Sequence, residues 1–175
     1  MELSKHISLW SKDETKVGAV IIGENHCPVS FGYNGFPRKV KDGIASRHQR
    51  PDKYSWTIHA EDNAISNAAR QGTSTDGATI YCNYFPCSSC AGKIIQSGIK
   101  GIYFEKILTL EKSGNFKDPK WGKDFLVSFK MLVEAKVEIN MIVGESIISF
   151  GVGLLSIIGQ ENYDELIEYI RDETK

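Results

Sequence analysis

Two short segments constrain this chain more than any other feature: His59-Ala60-Glu61 and, further along, Pro86-Cys87-Ser88-Ser89-Cys90. A fold that brings His59, Cys87 and Cys90 to one point has three ligands of a tetrahedral zinc and leaves the fourth position open for water. A structural zinc closes its shell with a fourth Cys or His instead. None offers itself: His6, His26, His48, Cys27 and Cys82 show no compact metal spacing, and no second zinc is expected. Glu61 lies two residues beyond His59, so it can reach a water at the metal without binding the metal. Alone, a first-turn carboxylate reads as a complement to the helix dipole. Beside three metal ligands, the acid–base role is the stronger reading.

The 175 residues suit one domain with a real core rather than two. A net charge of -1 gives no broad electrostatic footprint for nucleic acid, which favours a small substrate over a polymer. Residues 1–10 lack a basic region followed by an apolar run, so no secretory signal is expected, and no stretch reaches the length of a membrane span. Two of the four cysteines belong to the Cys-x-x-Cys, which needs thiolates, so a disulfide framework is not expected. Cytoplasm is the expected compartment (the host cytoplasm for a viral chain), with neither membrane nor nucleic acid as partner.

Residues 1–10 carry apolar positions at helical spacing, and residues 17–22 form a short apolar, β-branched run that reads as a buried strand. Residues 29–33 read as its hairpin neighbour. Residues 38–55 are mostly polar and read as a long surface loop, a length often tied to function. From His59 to Arg70 the pattern is helical, with Ala60, Ala64, Ile65 and Ala68 forming a small apolar stripe and Gly72 as C-cap. Residues 78–83 read as a strand, 87–97 as a helix, 101–105 as a strand, 113–120 as a loop, 125–135 as a helix and 137–143 as a strand. The order predicts an α/β sandwich with helices on both faces of a mixed sheet. One domain over 1–143 is followed by an extension, 144–175. Its apolar Gly-rich run at 151–159 and helical pattern at 161–171 suit packing on the same domain or at a subunit interface. In this reading His59 and Cys87 both open helices, where the dipole and free N–H groups favour thiolates.

The motifs resemble the cytidine deaminase superfamily, and more narrowly the deoxycytidylate (dCMP) deaminases. The residues that carry this are Trp10-Ser-Lys-Asp13 with Val17-Gly-Ala19, Gly32-Tyr-Asn-Gly-Phe-Pro37, Lys53-Tyr54 ahead of His59-Ala-Glu-Asp-Asn-Ala-Ile65, and Tyr84-Phe-Pro-Cys-Ser-Ser-Cys90 with Ile94-Ile-Gln-Ser-Gly-Ile-Lys100. The resemblance covers about residues 5–143. It implies a three-layer α/β/α cytidine-deaminase-like fold with a mixed sheet of about five strands. It implies an enzyme, a zinc-dependent hydrolase converting dCMP to dUMP and ammonia by attack of zinc-activated water on C4 of cytosine, with Glu61 as proton shuttle.

Carried over by position, Asn34 would hydrogen-bond the sugar; on its own it reads as a left-handed turn residue before Gly35, and both can hold. Phe85 reads equally as a wall of the base pocket or a core aromatic. The backbone around Ala60 and Cys87 would meet the base edge. Lys53 and Tyr54 are candidates for substrate contact, and Ser11 and Lys12 for effector or interface contact, against a solvated surface role for each. Asn63, Asn67 and Arg70 share one polar stripe on the helix from His59, a candidate route between a subunit contact and the site, against a plain solvated face. Asp62 stands where the family often has an apolar or basic residue, which bears on subunit contacts. Relatives are often homo-oligomers, a hexamer being the favoured state, activated by dCTP and inhibited by dTTP; Mg2+ would accompany a bound triphosphate. Two other readings stay open: a deaminase of another cytosine or purine compound (cytidine, CMP, dCTP or a free base), and a non-catalytic, zinc-stabilised nucleotide-binding module.

Overall fold

The computed structural model describes residues 1–107 and 119–150. Of the loop expected over 113–120, residues 113–118 lie outside the described residues and 119–120 are helical instead; the apolar run at 151–159 and the helix at 161–171 also lie outside the described residues. Six strands form one mixed sheet: β1 (Gly18–Ile22), β2 (Pro28–Tyr33), β3 (Thr79–Tyr84), β4 (Gly101–Lys106), β5 (Glu138–Val143) and β6 (Ser146–Phe150). Their spatial order is β2-β1-β3-β4-β5-β6. The central pairs β3–β4 and β4–β5 are parallel; β1–β2, β1–β3 and β5–β6 are antiparallel. The helices are α1 (Glu2–Ser8), α2 (Lys53–Trp56), α3 (Ala60–Gln71), α4 (Ser88–Gln96) and α5 (Pro119–Glu134). No helix among the described residues is long and apolar enough to cross a membrane.

The α/β sandwich is as expected, with one more strand than the five counted from sequence. β6 follows Val143 through a tight hairpin at Gly144, whose φ of +60 suits a residue without a Cβ. Phe150 is buried on the α5 side of the sheet, so the sheet continues past residue 143. The loop expected over 38–55 holds a 3-10 turn (Ala45–His48) and most of α2. Helix α5 starts at Pro119, earlier than the apolar periodicity from Phe125 suggested; proline is well suited to a first helical turn.

One row across the sheet explains how the helices lie. Gly32, Ala19, Cys82, Phe104, Met141 and Ile148 are successive cross-strand partners and share a face. The small end of that row receives α3, whose Ala60, Ala64 and Ala68 are fully buried. The large end receives α5, through Phe129 against Phe150. α1 covers the opposite face, where a Cβ on Gly18 would run into the Ser4 carbonyl. A Cβ on Gly32 would stand 2.5 Å from the Ala60 carbonyl oxygen and closer still to the Ala64 nitrogen. Both are helix backbone atoms that cannot swing aside. Gly32→Ala should therefore destabilise the fold by about 3 kcal/mol, read as a lowered urea midpoint with an unchanged slope. An unchanged midpoint would mean that α3 sits further from the sheet than described.

Candidate active site

His59 and Cys87 are the N-cap residues of α3 and α4, in near-identical extended conformations (φ -72, ψ 159 and φ -70, ψ 168), and neither side chain caps its own helix. The side chains turn instead to each other. His59 Nδ1 lies 3.4 Å from Cys87 Sγ and 3.5 Å from Cys90 Sγ, and the three ligand atoms all lie within 4.8 Å of one another. Zinc bonds of about 2.3 Å to sulfur and 2.05 Å to nitrogen, at tetrahedral angles, space S and N about 3.5 Å apart. The donor set therefore fits zinc in both chemistry and spacing. Cys90 is 2% and Cys87 9% exposed, so the set is shielded from water on the protein side.

The same closeness sets the protonation of the metal-free ligands. Hydrogen bonding from Cys90, and then from His59, pushes the Cys87 thiol down to about 4. The hydrogen bond to Cys87 lifts His59 to about 9. Cys90 rises well above the ordinary thiol value, because it shares its proton with Cys87 and is buried. Metal uptake thus displaces protons from His59 and Cys90. Glu61, in the first turn of α3, is 4% exposed, and burial raises its carboxyl above the ordinary value.

A cavity of about 150 Å³ opens beside these groups, and His59, Ala60, Glu61, Cys87, Phe85, Asn34, Lys53 and Tyr54 all contribute to its wall. Asn34 is 7% exposed, and its backbone is not left-handed, so the turn reading of this residue does not hold. Its Nδ2 donates to the Thr15 carbonyl (2.8 Å) and its Oδ1 accepts from the Val17 N–H (2.8 Å). Among the described residues, one N–H and one lone pair of this amide have no partner. Phe85 meets both of its readings: it lines the cavity and packs edge-on against Phe104 and Phe125. Lys53 is 7% exposed, and its Nζ binds both carboxylate oxygens of Asp13, at 2.9 and 3.2 Å.

The other candidates lie away from this cavity. Ser11 is buried and donates its hydroxyl to the Asn34 carbonyl at 2.7 Å. Lys12 pairs with Asp42 at the surface. Asn63 and Asn67 donate to the Tyr33 and Phe31 carbonyls of edge strand β2, at 2.9 and 2.8 Å. They close a sheet edge that would otherwise present unpaired acceptors. Arg70 is exposed in the last turn of α3. Asp62 pairs with Lys93, tying α3 to α4. The cavity wall also includes Asp13, Arg50 and Trp121, which sequence reasoning did not single out as site residues. Asp13 lay inside a quoted motif, but Arg50 sits in a polar loop and Trp121 on a remote helix, and no local pattern points to either.

A family model, the cytidine and deoxycytidylate deaminase zinc-binding region, matches residues 1–106. An "uncharacterized deaminase in luxG 3′ region" of Aliivibrio fischeri is 40% identical over 140 residues, 79% of this chain and 88% of that one. The deoxycytidylate deaminase of Homo sapiens is 38% identical over 100 residues, 54% of this chain and 55% of that one, so the match spans about half of that relative. Among solved structures, the dCMP deaminase of cyanophage S-TIM5, in complex with dCMP and dUMP, superposes with a TM-score of 0.62 at 23% identity, over 81% of this chain and 92% of that chain; this likeness concerns the fold. With the matched region spanning both ligand segments and the three ligands converging as described, the chain belongs to the cytidine and deoxycytidylate deaminase family.

Proposed function

We propose that this chain catalyses the hydrolytic deamination of dCMP to dUMP and ammonia. The observation that carries the reading is the convergence of buried Glu61, His59 and Cys87 on one cavity, with the Cys90 sulfur within 4.8 Å of the other two ligand atoms. Zinc, when bound, supplies a Lewis acid that makes water reactive at neutral pH. The Glu61 carboxylate takes a proton from the attacking water and delivers it to the ring nitrogen of cytosine; it then takes the proton of the hydroxyl added at C4 and gives it to the amine, which leaves as ammonia while the C4 carbonyl forms. Phe85 closes the apolar wall against the base, and the free N–H and lone pair of Asn34 are available to a sugar hydroxyl.

The preference for a 5′-phosphate is supported by Arg50. It lines the cavity, its guanidinium stands 5.8 Å from the Tyr54 ring centre, and it pairs with no carboxylate among the described residues. Lys53, by contrast, is committed to Asp13. An unpaired guanidinium suits a phosphate. Ammonia release measured against cytidine, deoxycytidine, CMP, dCMP and dCTP should single out dCMP. Arg50→Gln should raise the KM for dCMP at least ~10-fold and leave that for deoxycytidine nearly unchanged. Equal efficiency on deoxycytidine and dCMP would overturn the substrate assignment.

The same reading carries a cytoplasmic homo-oligomer with dCTP and dTTP as opposed effectors and Mg2+ alongside a bound triphosphate. Its support is a second cavity of about 470 Å³, walled in part by Lys12, Asn63 and Asn67, which shares Asp13 and Thr57 with the first. Repeating the dCMP assay with each triphosphate tests it. For residues 144–150, the pairing of β6 with β5 supports packing on the same domain.

A further inference from the structure

Helix α4 begins with an unusual difficulty. Its N-cap is Cys87, whose sulfur faces His59, and an N-cap side chain reaches at best the N–H groups two and three residues on, so the Ser88 N–H must be satisfied from elsewhere. The acceptor comes from another helix. Asp124 of α5 accepts the Ser88 backbone N–H at 3.0 Å through Oδ2 and the Ser88 hydroxyl at 2.5 Å through Oδ1. One turn further along α5, the fully buried Ser128 donates its hydroxyl to the Pro86 carbonyl at 2.8 Å. The residues on either side of Cys87 are therefore both fastened to α5, and Cys87 itself is held by neither bond. The same stretch of α5 brings Trp121 and Phe125 to the wall of the cavity, with Trp121 packed on Phe125 at 5.8 Å.

We infer that Asp124 is a positioning residue for Cys87: it caps α4 from outside the helix so that the Cys87 sulfur stays free and aimed as a metal ligand. This rests on the zinc-site reading proposed above. The chemistry requires such a device. An N-cap residue ordinarily satisfies a backbone donor with its own side chain, and losing that cap frays the first turn. Here the first turn carries both cysteine ligands, so fraying would move Cys87 and Cys90 relative to His59. A carboxylate accepting two hydrogen bonds at one residue restrains that turn more firmly than a single neutral cap would.

The test uses the full-length protein and reads the metal directly, with Zn2+ and Co2+ as probes. Asp124→Ala should bind Zn2+ about 10-fold more weakly in a chelator competition, the lower range for groups that orient metal ligands from outside the ligand set. The sulfur-to-cobalt charge-transfer absorption of its Co2+ form should shift or weaken. Asp124→Asn keeps an acceptor for the Ser88 N–H and should recover most of the affinity and the spectrum. A role in general folding alone would lower the melting temperature of the metal-free protein without moving the Co2+ spectrum. Should Asp124→Ala fail to fold, Asp124→Asn and Ser88→Ala decide: Ser88→Ala should show a smaller loss of the same kind, about 2-fold to 3-fold. Unchanged Zn2+ affinity and Co2+ spectrum in the folded variants would overturn the inference, and so would an Asn variant as impaired as Ala. A wild-type chain that takes up neither metal would instead refute the zinc-site reading, and failure to turn over dCMP with metal bound would refute only the substrate.

Discussion

Glu61→Gln should lower dCMP turnover by at least ~100-fold while the protein keeps its fold and takes up one zinc per chain. Gln reproduces the shape of the side chain and its hydrogen-bonding reach, but it cannot accept and release a proton at neutral pH. Glu61 is 4% exposed, and its carboxyl is held above the ordinary value by burial, so replacing it removes a group that is costly to ionise in place. No ion pair joins Glu61 to a Lys or Arg among the described residues, so none is left broken. The other carboxylate in the described cavity wall, Asp13, is tied to Lys53 and cannot readily take over. Zinc content by metal analysis, far-UV circular dichroism and ammonia release together separate the outcomes. Near-normal turnover in a zinc-replete Glu61→Gln protein would show that another group moves the protons.

The parts of this site that were legible in sequence share a physical property: each is encoded locally. His59 and Glu61 are two residues apart, Cys87 and Cys90 three apart, and each pair starts a helix whose alanine or small-residue pattern announces itself. The alanines of the small apolar stripe, Ala60, Ala64 and Ala68, are fully buried, and the row Gly32, Ala19 and Cys82 is their counterpart on the sheet. Gly72 ends α3 with a left-handed backbone, φ 69, as its position suggested.

What was not legible depends on contacts between distant residues. Lys53 looked like a free cation in a polar loop, yet it lies buried against Asp13. Asn63 and Asn67 looked like a solvated or signalling stripe; their amides are spent on the outward carbonyls of β2, a need visible only once β2 is known to be an edge strand. β6 escaped because Ser-Ile-Ile-Ser-Phe alternates imperfectly and its burial is earned from β5 and α5. Asp124 and Ser128 carry no motif at all, and act only because α5 lies beside α4.

Cys87→Ala should abolish stoichiometric zinc binding. It leaves His59 and Cys90, an imidazole and one thiol, too few protein ligands for a catalytic zinc site. It also removes the hydrogen-bonding partner that lifts His59 to about 9, so the imidazole returns toward its ordinary value. The fold should survive the change. Alanine tolerates the extended conformation of residue 87, and the flanking bonds from Asp124 to Ser88 and from Ser128 to Pro86 do not involve the sulfur. The stability of the wild type should therefore depend on metal in a way the variant's does not. A ligand held only by the folded state, at a free concentration about 1,000-fold above its dissociation constant, contributes about 4 kcal/mol. Unfolding the wild type with zinc and with a chelator should show a gap of that order, and the same pair of curves for Cys87→Ala should coincide. Full zinc occupancy in the variant, or an undiminished gap, would show that the metal is held by other residues and that the three-ligand assignment is wrong.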